Sequence, residues 1–452
     1  MRGIVWITLF VSSLPFVFVS PFNGVLLWYV FSLGNFHTLV WGFFADLYYG
    51  YIIALVTCFS WLISREPKKL PLTPLVVLTL AFSIWITITS LTAAMGDEYR
   101  APHVWSMWSR VEKVLFMCLV GYALTTSRER IDQLVWVVVL SIGVWGVKGA
   151  IFDLLHGGTA RVYGPGTSDI GDNNDFGVAL IIILPLMFYQ WHRQTNRYLR
   201  HGIIVMVFLV ALGVLFTYSR GALVGACAMG TVFWLRSRAK LTTGLLIIAV
   251  GLFALLFVPE GWFKRMDTIG TYQEDSSAMS RILFWKISLR VAEVHPFLGG
   301  GFKVTYSPEA VNPMLSGTTL ERLTAPKAPH SIYFEVLSEH AWFGLALYLA
   351  IAVFSWRNCS WLVRRSRDRP DLAWANFLGR MGQGSLVAFW VGAAFVSQAY
   401  LDEYWCIIFV FDAARRLVAR ETGSAVAFAG GPGMLPTPLR QEWARPQLGR
   451  PI

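Results

Sequence analysis

HRQTNRYLRHGIIVMVFLVALGVLFTYSRGALVGACAMGTVFWLRSRAK, residues 192–240, decides the fold. A basic segment, His192–Arg200, leads into an apolar run over 202–217. A tight polar turn, Tyr218–Gly221, joins it to a second apolar run over 222–235, and Arg236–Lys240 is basic again. Short loops rich in Lys and Arg mark the cytoplasmic ends of membrane helices. This stretch therefore predicts two helices that cross a bilayer, with both basic loops inside and the Ser219-Arg220-Gly221 turn outside.

The whole chain repeats the pattern. Its 452 residues are 55% hydrophobic and 14% charged, where a soluble protein carries about 25% charged residues. Twenty tryptophans suit interfacial belts at many helix ends. The net charge of +11 does not point to nucleic acid, because the cations gather in loops between apolar runs. Further basic loops lie at Ser64–Leu70, Thr126–Asp132 and Arg357–Arg369, and the segment after Asp412 is also basic. The five cysteines, Cys58, Cys118, Cys227, Cys359 and Cys406, lie in or beside apolar runs and form no CxxC, so no disulfide framework or zinc site is readable.

Between the basic anchors lie apolar spans near 71–94, 111–125, 133–154, 176–191, 202–217, 222–235, 241–258, 333–356, 374–396 and 398–412. Alternating them keeps every basic loop on one side. Before residue 64 three short apolar runs (3–20, 22–34 and 50–63) would break parity, so two spans are expected there, with the remaining run interfacial or re-entrant. The expected fold is an all-α integral membrane protein with about 12 transmembrane helices. Its parts are an N-terminal transmembrane region (1–258), one long, partly helical outer loop (259–332), C-terminal transmembrane helices (333–412) and a cytoplasmic, Gly/Pro-rich, disordered tail (413–452). The start, Met1-Arg2 before an apolar stretch, lacks an Ala-x-Ala site and reads as a retained first helix.

The outward segments hold the candidate chemistry. The segment Gly96–Arg110 offers no motif. Residues 157–175 contain Arg161 and the run Asp172-Asn173-Asn174-Asp175. In the long loop, Ser280–Val294 places Ile282, Trp285, Leu289 and Ala292 at helical spacing, which predicts an amphipathic helix on the membrane face. It carries Arg281 and Arg290 and ends in His295-Pro296-Phe297-Leu298-Gly299-Gly300-Gly301. That glycine triplet permits close backbone approach and is no P-loop, since no GK[ST] follows. The segment APHSIYFEVLSEHAWFG (328–344) puts His330 where the loop re-enters the membrane. Taken alone, His330 reads as an interfacial cap, and Arg220 equally as a cation reaching lipid headgroups.

The ordered set is more specific than its parts. S-R-G between two spans, R-x-x-x-W on a helix ending in H-P-x-x-G-x-G, and H-S-x-Y-x-x-x-L-x-E before a helix together resemble the O-antigen ligase/polymerase superfamily. Arg161-Val162-Tyr163-Gly164-Pro165 and Asp172–Asp175 look closest to its exosortase-associated O-glycosylation ligase subgroup. The resemblance runs from residue 1 to about Asp412. It departs at Ala341, where the family usually has glycine, which puts a helix contact in doubt.

The resemblance implies a membrane glycosyltransferase of the bacterial inner membrane with its site on the periplasmic side. The donor would be a glycan on undecaprenyl pyrophosphate and the acceptor a lipid A–core hydroxyl, as in lipopolysaccharide biosynthesis. Arg220 and Arg281 would neutralise the pyrophosphate leaving group, and His330 would activate the acceptor. Arg161 is a further donor contact, and Asp402, at the outer end of the last span, either binds acceptor sugar or orients His330. No Asp-x-Asp is present, so neither a metal nor another cofactor is expected. Besides the bilayer, the alternative partner is a surface-protein acceptor, making the enzyme a protein O-oligosaccharyltransferase; repeat-unit polymerisation uses the same donor. From another class, a lipid-linked glycan flippase would place charge at the bilayer midplane, often on broken helices.

Overall fold

In the computed structural model the described residues are 2–40, 42–45, 47–157, 160–255, 276–318 and 327–423, and they are all-α. Glu274-Asp275 and the Gly/Pro-rich 424–452 lie outside them.

Several helices begin where the sequence supplies a side-chain cap. Arg2–Val19 (α1), Pro21–Gly34 (α2) and Tyr49–Ile63 (α3) come first. Pro74–Gly96 (α4) starts with Thr73 Oγ accepting the Val76 N–H and Pro74 at the first position. Ala101–Leu124 (α5) and Arg128–Leu155 (α6) follow, the latter capped by Ser127. Asn173–Arg193 (α7), Arg197–Phe216 (α8) and Arg220–Arg236 (α9) are capped by Asp172, Asn196 and Ser219. Then come Lys240–Leu255 (α10), Ser276–Val294 (α11), Ile332–Arg365 (α12), Ala373–Gly392 (α13) and Asp402–Glu421 (α14).

Small residues let the central helices close up. A Cβ on Gly225 of α9 would stand 2.8 Å from the Ala388 carbonyl of α13, the kind of approach that packs helices where burial from water gives little drive. Polar groups add ties between distant segments: Asp412 of α14 accepts from Thr73 Oγ and from Asn358 Nδ2 of α12, each at 2.7 Å.

The bundle has two unlike poles. At one, Arg130 pairs with Glu66, Arg193 with Asp132, and Arg236 with Gln383. The other collects the α4–α5 turn, the loop before α7, the α8–α9 turn and the entry to α12. The three N-terminal apolar runs form a group of their own. All three are helices packed side by side: Trp6 and Phe10 of α1 meet Phe31 and Tyr49, and Ser60 Oγ donates to the Val17 carbonyl.

The expected count of about 12 transmembrane helices is not met. Among the described residues 6 helices are long and apolar enough to cross a membrane: α1, α4, α6, α7, α8 and α12. Apolar runs overstate spans for two physical reasons. The helices α2, α3, α9 and α10 have 14, 15, 17 and 16 residues, fewer than the roughly 20 a bilayer needs. By contrast α5 carries Arg110, Glu112 and Lys113, and α14 is studded with charge from Asp402 to Glu421.

The buried face of α11 is also shifted. Phe284, Ile287 and Val291 pack with Val304, Val311 and Leu315 in a small separate core, while Leu289 points outward, 37% exposed. The loop after α11 folds back on that helix, so its strongest apolar side faces protein.

Candidate functional site

The entry to α12 is held from two directions. His330 has a positive φ of 48°, and its backbone N–H donates to Ser397 Oγ at 2.9 Å. One residue earlier, the Pro329 carbonyl accepts the Trp285 indole N–H at 2.9 Å. The Trp285 ring stacks on Phe334 at 5.3 Å and meets Phe395 at 6.4 Å. Arg281 lies one turn before Trp285, on the side of α11 that faces this entry.

The charge around His330 follows. Its imidazole is half-buried, and burial together with Arg281 and Lys327 lowers its pKa to about 4, with Asp172 pulling the other way. Lys327 is steadied by donating to Ser280 Oγ at 2.7 Å. Asp172 caps α7, and its neighbour Asn173 donates Nδ2–H to the Thr217 carbonyl at 2.7 Å, tying that helix start to the α8–α9 turn.

Arg220 opens α9 directly after this turn, where Tyr218 takes a φ of 57°. Gly221 must be small: a Cβ there would sit 3.2 Å from both Gly392 O and Phe395 Cβ. Arg161 spreads over Tyr218, its guanidinium carbon 5.9 Å from the ring centroid. Arg281, Asp172 and His330 thus form one electrostatic group, and Arg220 and Arg161 flank the turn that α7 is tied to. Asp402 is placed otherwise. The cation acting on it is Arg110, and it is not among the groups acting on His330.

Sequence reading missed a neighbouring set. Arg110 pairs with Asp169, and both line a cavity of about 60 Å³ with Lys303, Glu335, Ser397 and Gln398. Ser397 joins the two regions, since its hydroxyl also holds His330. Lys303 has its pKa raised because Glu335, Tyr306 and Glu339 outweigh the lowering by burial. The signal was present: Glu335 and Glu339 are ionisable residues inside an apolar span, which are rare without a role.

Those carboxylates lie just before a break in α12. Ala341 has φ 55° and ψ −164°, a region open in practice only to glycine. Three carbonyls just before the break are taken by groups outside the helix. Gly300 N–H donates to Ser338 O at 2.8 Å, Gly301 N–H to Glu339 O at 2.9 Å, and Trp85 Nε1–H to His340 O at 3.0 Å. The Glu339 carboxylate accepts from the Lys303 N–H at 2.8 Å and the Tyr400 hydroxyl at 2.7 Å. The close approach predicted for the glycine triplet is made to α12 itself, and the departure at Ala341 concerns backbone conformation.

Residues 205–349 match the family described as O-Antigen ligase. That segment includes Arg220, Arg281, His330 and the break at Ala341; Arg161 and Asp402 fall outside it. Residues 1–195 match a family of unknown function. No curated protein matches the chain. The relation is therefore one to the O-antigen ligase family over part of the chain, and it assigns no subgroup. Among the described residues no group of three or more His, Cys, Asp or Glu could hold a metal ion.

Proposed function

We propose that this protein is a glycosyltransferase that moves a glycan from undecaprenyl pyrophosphate to an acceptor hydroxyl, lipid A–core being the preferred acceptor. The observation that carries it is that Arg281 stands near enough to His330 at one pole for its charge to act on the imidazole, inside the segment that matches O-antigen ligases. In the reaction the bond from anomeric carbon to phosphate oxygen breaks, and the acceptor oxygen forms the new bond as it loses its proton. His330, held neutral at ordinary pH, takes that proton. Arg281 and Arg220 meet the charge gathering on the pyrophosphate, and Arg161 reaches the donor from across Tyr218. The site faces the periplasm of the inner membrane in this reading, with the basic pole inside. Within it, residues 1–258 and 333–412 supply the membrane body and 259–332 the loop that carries Arg281 and His330, and Asp402 serves the acceptor through Arg110.

A protein hydroxyl or a growing glycan would use the same donor chemistry. The flippase reading gains one observation, the broken α12 with Glu335 and Glu339 beside the break. However, the carbonyls at the break are occupied by Gly300, Gly301 and Trp85, whereas a transporter leaves such groups for its cargo.

The test deletes the gene and scores capped lipopolysaccharide and glycosylated surface protein together. Loss of either with lipid-linked glycan accumulating outside supports transfer and names the acceptor. Lipid-linked glycan that fails to appear outside, with neither product changed, sinks it in favour of the flippase.

A further inference from the structure

A second cavity lies at the pole away from His330. It is a cleft of about 710 Å³ walled by the ends of α7, α9 and α13 and the loop after α12. Since α12 runs 34 residues from Ile332 to Arg365, about 50 Å of helix separates this cleft from the entry at His330.

Four arginines line it: Arg236, Arg367, Arg369 and Arg380. Only some are compensated. Arg369 is paired with Asp371 at 2.6 Å, and Arg236 donates to the neutral Gln383 while lying over the Trp356 ring, 4.9 Å from its centroid. The charge nearest to Arg236 in effect is the like charge of Arg380, from a different helix. No ion pair is made by Arg367 or Arg380 among the described residues, and the one acid in the wall is Asp368. A preference for basic loops on one membrane side explains arginines at this pole. It does not explain guanidiniums from three segments converging on one cleft, an arrangement that repels itself unless an anion sits between them.

The rest of the wall is apolar. Phe233, Phe377 and Met381 line the cleft, and His192 stacks on Phe377 at 4.3 Å. Just beside it Trp234, Leu235 and Leu241 are exposed, at the level where α9 and α10 pass from apolar to basic sequence. An anion bound here meets guanidiniums on one side and aromatic and aliphatic surface on the other. That is the chemistry of a phosphate ester attached to a hydrocarbon chain.

We propose that this cleft binds the phosphate group of an anionic phospholipid, held by Arg380, Arg367 and Arg236 with its acyl region against Phe233, Phe377 and Met381. The same phosphate chemistry could be supplied free in solution, and the experiment separates the two sources. The full chain is purified in detergent and presented with phosphatidylglycerol, phosphatidylcholine or inorganic phosphate. Bound lipid is counted by native mass spectrometry, and dissociation constants are compared with those of the doubly substituted Arg367→Gln/Arg380→Gln protein. These exposed side chains make no ion pair among the described residues, so the variant is expected to fold.

The expected result is selective retention of phosphatidylglycerol, with affinity lowered about tenfold or more in the variant. Inorganic phosphate competing as well as the lipid, through the same arginines, overturns the lipid source. Equal retention of phosphatidylcholine, or unchanged affinity in a variant with native thermal stability, overturns the site. A second variant, Phe377→Ser, tests the apolar wall: it should weaken lipid binding while leaving any response to inorganic phosphate unchanged. None of these readouts depends on glycan transfer, so the outcome stands apart from the proposed activity.

Discussion

The Trp285 indole N–H donates to the carbonyl of Pro329 at 2.9 Å, so the helix carrying Arg281 is pinned to the residue that precedes His330. Replacing Trp285 with Phe keeps a ring to stack on Phe334 and removes the donor. The protein should accumulate and insert normally while transfer falls about tenfold, because reacting groups displaced by an ångström lose rate steeply. Glycan transfer in reconstituted vesicles, set against protein level, reads this out; wild-type transfer would detach Trp285 from the site.

Gly299 is required by the break in α12. Its φ is +69°, and a Cβ there would lie 2.7 Å from Glu339 O and 2.8 Å from Ala341 N. Gly299→Ala should cost about 1–3 kcal/mol, with loss of the adjoining bonds from Gly300 and Gly301. Thermal unfolding in detergent is the measurement, and an unchanged midpoint would mean that the loop does not dock as described.

Ala341→Gly should act in the opposite direction. Alanine at φ 55° and ψ −164° is strained, and glycine adopts that conformation freely. A gain of about 1 kcal/mol or more is expected, visible as a raised unfolding midpoint with transfer retained. Because Ala341 is fully buried inside α12, ordinary helix propensity predicts destabilisation of about 1 kcal/mol instead. The sign alone decides between the two accounts.

How much could be read in advance depended on how local the cause was. The Ser219-Arg220-Gly221 turn, the His330 entry and the α11 helix are set by contiguous residues, and hydropathy or spacing exposes them. The Arg110–Asp169 pair joins residues 59 positions apart, and Ser397 reaches His330 across 67. Nothing local marks either pairing. The number of spans failed for a related reason: an apolar run registers whether its helix faces lipid or protein, and only length and buried charge separate the two. The glycine triplet was legible as a place of close approach, but what approaches it, the broken middle of α12, is set by a backbone angle at Ala341 that composition does not carry.

Arg220 begins α9 within a turn that leaves its backbone little freedom. Arg220→Lys keeps the charge and discards the planar fork that binds two phosphate oxygens at once. Transfer should fall about tenfold or more with KM for the lipid-linked donor rising, in a protein of unchanged thermal stability. Full activity in the lysine variant would reduce Arg220 to a point charge or remove it from the donor site.

The histidine makes the sharpest prediction, because its environment sets a pH. Burial first, then Arg281 and Lys327, lower His330 from the ordinary 6.5 to about 4. Between those values the unfolded chain binds a proton that the folded chain refuses, so stability falls as pH drops from 6.5 towards 4 and is unaffected above it. As a base the ring must be free of its proton, which places the acid limb of kcat/KM near pH 4 rather than 6.5. Arg281→Gln removes one cause and leaves burial, so the limb should move up part of the way towards 6.5. A pyrophosphate bound at Arg281 acts in the same sense, and the limb of kcat should lie above that of kcat/KM. Initial rates across the acid range, for wild type and Arg281→Gln, check both. A limb that does not move separates Arg281 from the ring. One that moves while His330→Ala retains full transfer keeps the electrostatics and removes the histidine as base.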